Sequence, residues 1–116
     1  MSRAAQGLRA WLLQRFTAIY IAAFLLVSVA ARIAGSGETY SQWRALFQLP
    51  WVSVATAIFA MAVLLHAWVG IRDVLIDYVH AVWLRLSLLA LTGLVLLASL
   101  LWALRALALV ALVGAA

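Results

Sequence analysis

The sequence has no cysteine and no lysine, a single proline and only three acidic residues, Glu38, Asp73 and Asp77. Without cysteine the chain can form no disulfide, and it cannot supply a thiolate nucleophile, an iron–sulfur cluster or a thiolate zinc site. Any metal chemistry must rest on His or carboxylate. The scarcity of charge excludes more. Soluble domains are about half apolar and about a quarter charged, whereas this chain of 116 residues is 70% apolar and 9% charged, with a mean hydropathy of +1.19. That arithmetic excludes a soluble enzyme, a nucleic-acid-binding domain and a disordered tail. The net charge is +5, but the arginines stand singly between long uncharged runs and form no basic stripe. They read as charges at membrane borders, and no nucleic-acid partner is expected.

What the chain does have is three neutral stretches, at 16–31, 45–71 and 86–104, the last continuing past Arg105 to Ala116. A helix needs about 20 mostly apolar residues to cross a hydrocarbon core of about 30 Å, and all three are long enough. The first is extended upstream by Trp11, Leu12 and Leu13 before Arg15, whose long side chain can reach the headgroups. The expected fold is an all-α membrane protein with three transmembrane helices at 11–34, 52–77 and 84–112, forming a single membrane-anchor domain over 1–116. Residues 35–43 carry the glycines and small polar side chains of a chain leaving a helix. Pro50 precedes the second span, where a missing amide proton costs little. The second linker is short and holds Arg72, Asp73, Asp77, Tyr78, His80 and Arg85, so spans two and three form a tight antiparallel hairpin.

An arginine-bearing start, an apolar run and Ser28-Val29-Ala30-Ala31 also fit a secretory signal with a small-residue cleavage site. A first span that is retained is the preferred reading, since Met1 is present in the chain. Three crossings put the termini on opposite sides. Arg3, Arg9, Arg15, Arg72 and Arg85 gather on the N-terminal side, against Arg32, Arg44 and Arg105 on the other. The positive-inside rule then makes the N-terminus cytoplasmic and the C-terminus periplasmic.

His66 is the one ionisable group at membrane depth. It lies about ten residues from the border at Asp77, which at ~1.5 Å per residue is ~15 Å, half the thickness of the core. An ionisable residue there usually faces the protein interior, a cavity or a cofactor. Low dielectric favours the uncharged ring, which is the form an iron ligand requires. At 100° per residue Ala55, Phe59, Ala62, His66, Gly70, Asp73 and Asp77 share one stripe. The small residues flanking His66 permit either close helix approach or a large flat ligand against the backbone. Two readings stand: His66 hydrogen-bonds across a helix interface, or it is an axial ligand of haem b. If two His ligands are needed, His80 cannot be the second, because it lies at the interface and about 21 Å further along a continued helix. A haem therefore implies a partner subunit, or a symmetric copy.

Asp77 and Tyr78 end the second span where water, headgroups and a lipid-soluble substrate meet. Aromatic residues at borders are commonly anchors, which is the plain reading of Trp11, Trp43, Trp51, Trp83 and Trp102. A phenol beside a carboxylate can also donate a hydrogen bond to a carbonyl oxygen while the acid relays protons, which suits a quinone. Asp77 can equally cap the hairpin or pair with Arg72 or Arg85, and Asp73 is expected only to pair.

The run 66–79, His-Ala-Trp-Val-Gly-Ile-Arg-Asp-Val-Leu-Ile-Asp-Tyr-Val, then Leu84-Arg85-Leu86, resembles the small hydrophobic membrane-anchor (D) subunit family of bacterial succinate dehydrogenase, respiratory complex II. Arg15-Phe16-Thr17-Ala18 and the linker from Gly35 to Trp43 extend the likeness over nearly the whole chain. The resemblance implies a multi-pass subunit of the bacterial inner membrane with no catalytic machinery for succinate. It implies a heterotetramer with a flavoprotein subunit, an iron–sulfur subunit and a cytochrome b556 (C) membrane subunit, open to further association and bedded in membrane lipids. It further implies His66 as one axial ligand of haem b, the other coming from the C subunit; Tyr78 as a hydrogen-bond donor to ubiquinone, with Asp77 in the proton path; and Arg15 near the haem propionates. His80-Ala81 departs from the Lys-Pro common after Asp-Tyr-Val, and Arg72 and Arg105 are more charge than the family pattern carries. Two rivals fit the composition: the anchor of a fumarate reductase, working with menaquinone, and a purely structural anchor. A small transporter would need more intramembrane polar groups, and a di-haem cytochrome b would need four buried His.

Overall fold

The computed structural model of the chain describes residues 3–115; Met1, Ser2 and Ala116 lie outside them. Among the described residues there are four helices and no strand: α1 Arg3–Ile33, α2 Tyr40–Gln48, α3 Pro50–Tyr78 and α4 Val82–Ala115. Three of them, Arg3–Ile33, Pro50–Tyr78 and Val82–Gly114, are long and apolar enough to cross a membrane, as hydropathy predicts. At 1.5 Å per residue each exceeds the ~30 Å core, and the molecule is 50 Å long and about half as wide.

The helix ends follow from local chemistry. α1 stops in a Schellman motif: Ser36 N–H donates to Ala31 O at 2.9 Å and Gly35 N–H to Arg32 O at 3.1 Å, with Gly35 at φ +89°, a conformation open to glycine at no steric cost. The Arg32 guanidinium donates to the carbonyl oxygens of Ser36 and Gly37, tying the turn to the helix it ends. α2 then starts on a reciprocal cap in which the Thr39 hydroxyl accepts from Gln42 N–H and the Gln42 side chain accepts from Thr39 N–H, the pairing that a Thr-x-x-Gln spacing encodes.

The short helix α2 is an addition to the expected elements, its first residues falling in the 35–43 linker, and it is separated from α3 close to the expected start of the second span. Pro50 is the physical reason for the separation. Its ring keeps the preceding residue out of the helical region, and Leu49 is extended at φ −69°, ψ 124°. The chain breaks there, and Pro50 opens α3 at its first turn, where no amide proton is needed. The α3–α4 connection is only Val79–Ala81, giving the expected antiparallel hairpin.

α3 is the centre of the fold. α1 packs along one side of it and α4 along the other, and among the described residues α1 and α4 do not meet. α2 lies against α3 and the far end of α4, where the Gln48 side chain packs on Gly114. The arrangement is an open row, so little is enclosed: among the described residues Thr17, Gly37, Ala62 and Val69 are buried, while most large apolar side chains are exposed. In water this would be untenable; in a bilayer, lipid tails are as apolar as leucine. The hydroxyls within the helices are satisfied locally, Ser28, Thr56, Ser87 and Ser99 each donating to the carbonyl one turn back at 2.7–2.8 Å, as lipid requires.

Candidate functional site

The seam between α1 and α3 is marked by polar residues rather than apolar ones. On α1, Gln14 and Thr17 stand one turn apart on the face turned toward α3, and Tyr20 follows, its hydroxyl donating to Ala55 O at 2.8 Å. Phe24 stacks on Phe59 with ring centroids 4.3 Å apart. Across from Thr17 lies His66: the Thr17 hydroxyl and His66 Nδ1 are 3.2 Å apart. The same hydroxyl is 2.7 Å from Leu13 O and 3.1 Å from Gln14 O. Thr17 is 7% exposed, and His66 is half-buried.

Of the two uses open to the small residues around His66, close approach of helices is the one observed. Ala62, one turn before His66, is buried. At Gly70, one turn after it, the Gln14 amide nitrogen lies 3.6 Å from where a Cβ would stand. His66 therefore does form the cross-helix hydrogen bond that the plainer reading foresaw. That bond occupies Nδ1 only. Nothing else among the described residues hydrogen-bonds the ring, so Nε2 is uncommitted. An imidazole with one nitrogen anchored by the protein and the other free is the usual donor arrangement of a metal-binding histidine, and on that chemistry the site fits an axial iron ligand. No group of three or more His and carboxylates is gathered among the described residues.

The contacts of Thr17 with His66, Gln14 with Gly70 and Phe24 with Phe59 fix the register of the antiparallel pair. In that register Arg15 stands level with about Trp68, within ~3 Å of His66 along the axis. It is exposed, its guanidinium 5.3 Å from the Trp11 ring centroid on the rim side. Arg15 thus lies off the seam, on an outward face, at a depth where a cation needs an anionic neighbour.

At the rim, Arg72 donates to Asp73 at 2.8 and 3.0 Å, the role expected of Asp73. Asp77 and Tyr78 are both exposed, Tyr78 by 77%, and among the described residues neither side chain has a hydrogen-bond partner; Arg72 pairs with Asp73 rather than with Asp77. A 610 Å³ cleft opens between the start of α1 and the end of α3, lined by Arg3, Gln6, Trp11, Gln14, Val69 and Asp73 among others. Gln14 Oε1 is buried there without a partner. The residues that sequence reasoning left without a role are Thr17 and Gln14. The available signal was their i, i+3 spacing on the same helical face as Tyr20.

Comparison with known proteins gives the chain a family. The succinate dehydrogenase/fumarate reductase transmembrane subunit family matches residues 1–107. The chain belongs to that family. A relative from Coxiella burnetii (strain RSA 493 / Nine Mile phase I), a succinate dehydrogenase hydrophobic membrane anchor subunit, is 32% identical over 98 residues, covering 84% of this chain and 85% of that protein. Membership in this transmembrane-subunit family, with three membrane-crossing helices, makes the chain a multi-pass subunit of the bacterial inner membrane. Its partners are the other subunits of the enzyme.

Proposed function

We propose that the chain is the membrane anchor of a succinate dehydrogenase, giving haem b one axial ligand through His66 Nε2 and forming one wall of the ubiquinone-reduction site with Tyr78 and Asp77. The observation that carries the reading is the histidine at half-depth with a single nitrogen engaged. Bound haem b supplies a one-electron redox site. The second axial ligand comes from the cytochrome b556 subunit, because His80, the chain's other histidine, lies exposed in the Val79–Ala81 connection. Shared ligation also stabilises the folded pair, since the ligand binds the assembled state alone. Arg15, outward-facing at nearly the same level, offsets the propionate charge.

Reduction of a quinone by two electrons consumes two protons. Tyr78 donates its O–H to a quinone carbonyl oxygen, and Asp77 beside it passes protons inward from the aqueous rim. Both side chains are free of competing bonds within the chain and exposed toward the side where the iron–sulfur subunit and, beyond it, the flavoprotein subunit dock. Arg3, Arg9, Arg72 and Arg85 toward that side make it cytoplasmic. Succinate is oxidised elsewhere, so the chain alone has no dehydrogenase activity. Fumarate reductase anchors share the family; the Coxiella relative's name favours succinate oxidation.

The test is an optical spectrum of the complex purified with its partners. Wild type shows the bands of a bis-histidine b haem, and His66→Ala loses or perturbs them. An unchanged spectrum in that variant removes His66 as a ligand, and a wild-type complex without b-type absorbance leaves a purely structural anchor.

A further inference from the structure

Thr17 carries one proton and has three acceptors in range, and how that proton is shared decides which nitrogen of His66 is bare. The carbonyl oxygen of Leu13 is nearest at 2.7 Å, Gln14 O follows at 3.1 Å, and His66 Nδ1 is furthest at 3.2 Å. Both carbonyls belong to α1, one turn back, where a helical threonine hydroxyl habitually donates. With the proton committed to Leu13 O, the Thr17 oxygen offers His66 only lone pairs. A ring nitrogen facing a lone pair must carry the hydrogen.

We infer that Thr17 is a positioning residue that holds His66 in the Nδ1–H tautomer, so that the lone pair for iron is on Nε2, and that it tunes the ligand's basicity by accepting that hydrogen. The inference rests on the proposed role of His66 as a haem ligand. The bond spans two helices, so α1 fixes the ring orientation of a ligand carried by α3. Its surroundings make it matter: Thr17 is nearly excluded from solvent, and Ala62, one turn from His66, is buried. A hydrogen bond accepted from the far nitrogen raises the electron donation of a histidine ligand, which favours the oxidised metal, and loss of such an outer partner typically costs about 10- to 100-fold in metal affinity.

The experiment compares wild type, Thr17→Val, Thr17→Ser and His66→Ala in the purified complex, reading haem content, low-spin ferric EPR g-values and haem midpoint potential. Thr17→Val keeps the shape and removes the acceptor. It is expected to move the potential positive, change the g-values and weaken haem retention by about 10- to 100-fold, while Thr17→Ser returns all three toward wild type. Potential and g-values unchanged in Thr17→Val, in a complex whose haem is lost in His66→Ala, overturn the role of Thr17 and leave the ligand assignment standing. A haem indifferent to His66→Ala overturns both. Should Thr17→Val fail to assemble, the unsubstituted complex labelled with 15N-histidine decides: in the reduced, diamagnetic state the His66 Nδ1 proton resonates as a hydrogen-bonded imidazole N–H, and a free N–H shift overturns the inference.

Discussion

The imidazole of His66 answers to two demands at once. Its helix is in contact with α1 on the side of Ala62 and Gly70, and a polar ring in that contact is costly unless bonded. Thr17 meets the cost at one nitrogen and leaves the other for chemistry. Tyr78 is the opposite case, an exposed phenol whose partner is not in this chain. Tyr78→Phe removes a single hydroxyl from the rim without disturbing any bond recorded within the chain. Quinone reduction by the complex is expected to fall by about 10-fold or more, while succinate oxidation with an artificial soluble acceptor stays near wild type. Equal loss in both assays would indicate failed assembly and count against the quinone-site role.

The turns between helices are specified by a few positions. Gly35 sits at φ +89° in the cap that ends α1, and a side chain there costs about 1–2 kcal/mol. Gly7 lies within α1 with nothing within 4 Å of an added Cβ, where alanine gains up to about 1 kcal/mol. Thermal melting of the solubilised complex is expected to show Gly35→Ala lowered and Gly7→Ala unchanged or raised; the same response from both would mean that the cap geometry has no bearing on stability. α2 teaches a related lesson. Its Thr39-x-x-Gln42 start and Pro50 stop are both legible in the residues, yet the helix between them is not, because nine residues are too few to register in a hydropathy window sized for a membrane span.

Seen whole, the molecule is an open row with α3 at its centre and with most large apolar side chains exposed. Such a row leaves both sides of α1 and α4 that do not face α3 for lipid and partner subunits. The contact of Trp68 with Gly93 sets α4 against α3, and Arg105 then stands about ten residues from the level of His66, ~15 Å away, with its guanidinium 5.7 Å from the Trp102 ring centroid. Tyr78 lies a similar distance to the other side, so His66 is flanked by two rims. Orientation across the membrane can be read directly, since the absence of cysteine permits single-site labelling. Ser41→Cys, exposed in α2, is expected to react with an impermeant maleimide in spheroplasts, and His80→Cys to be protected there. Reaction of His80→Cys alone would invert the topology.

Three helices long and apolar enough to cross a membrane, the place of His66 in the interior of the second and the end of that helix at Tyr78 were all readable along the chain, because each depends on length, charge and distance along one helix, which are additive. The bond between Thr17 and His66, the burial of Ala62, the orphaned Gln14 oxygen and the outward position of Arg15 were not. Each depends on the rotation and register of α1 against α3, and in lipid those are set by side-chain fit between helices, with no hydrophobic gradient to betray the buried face.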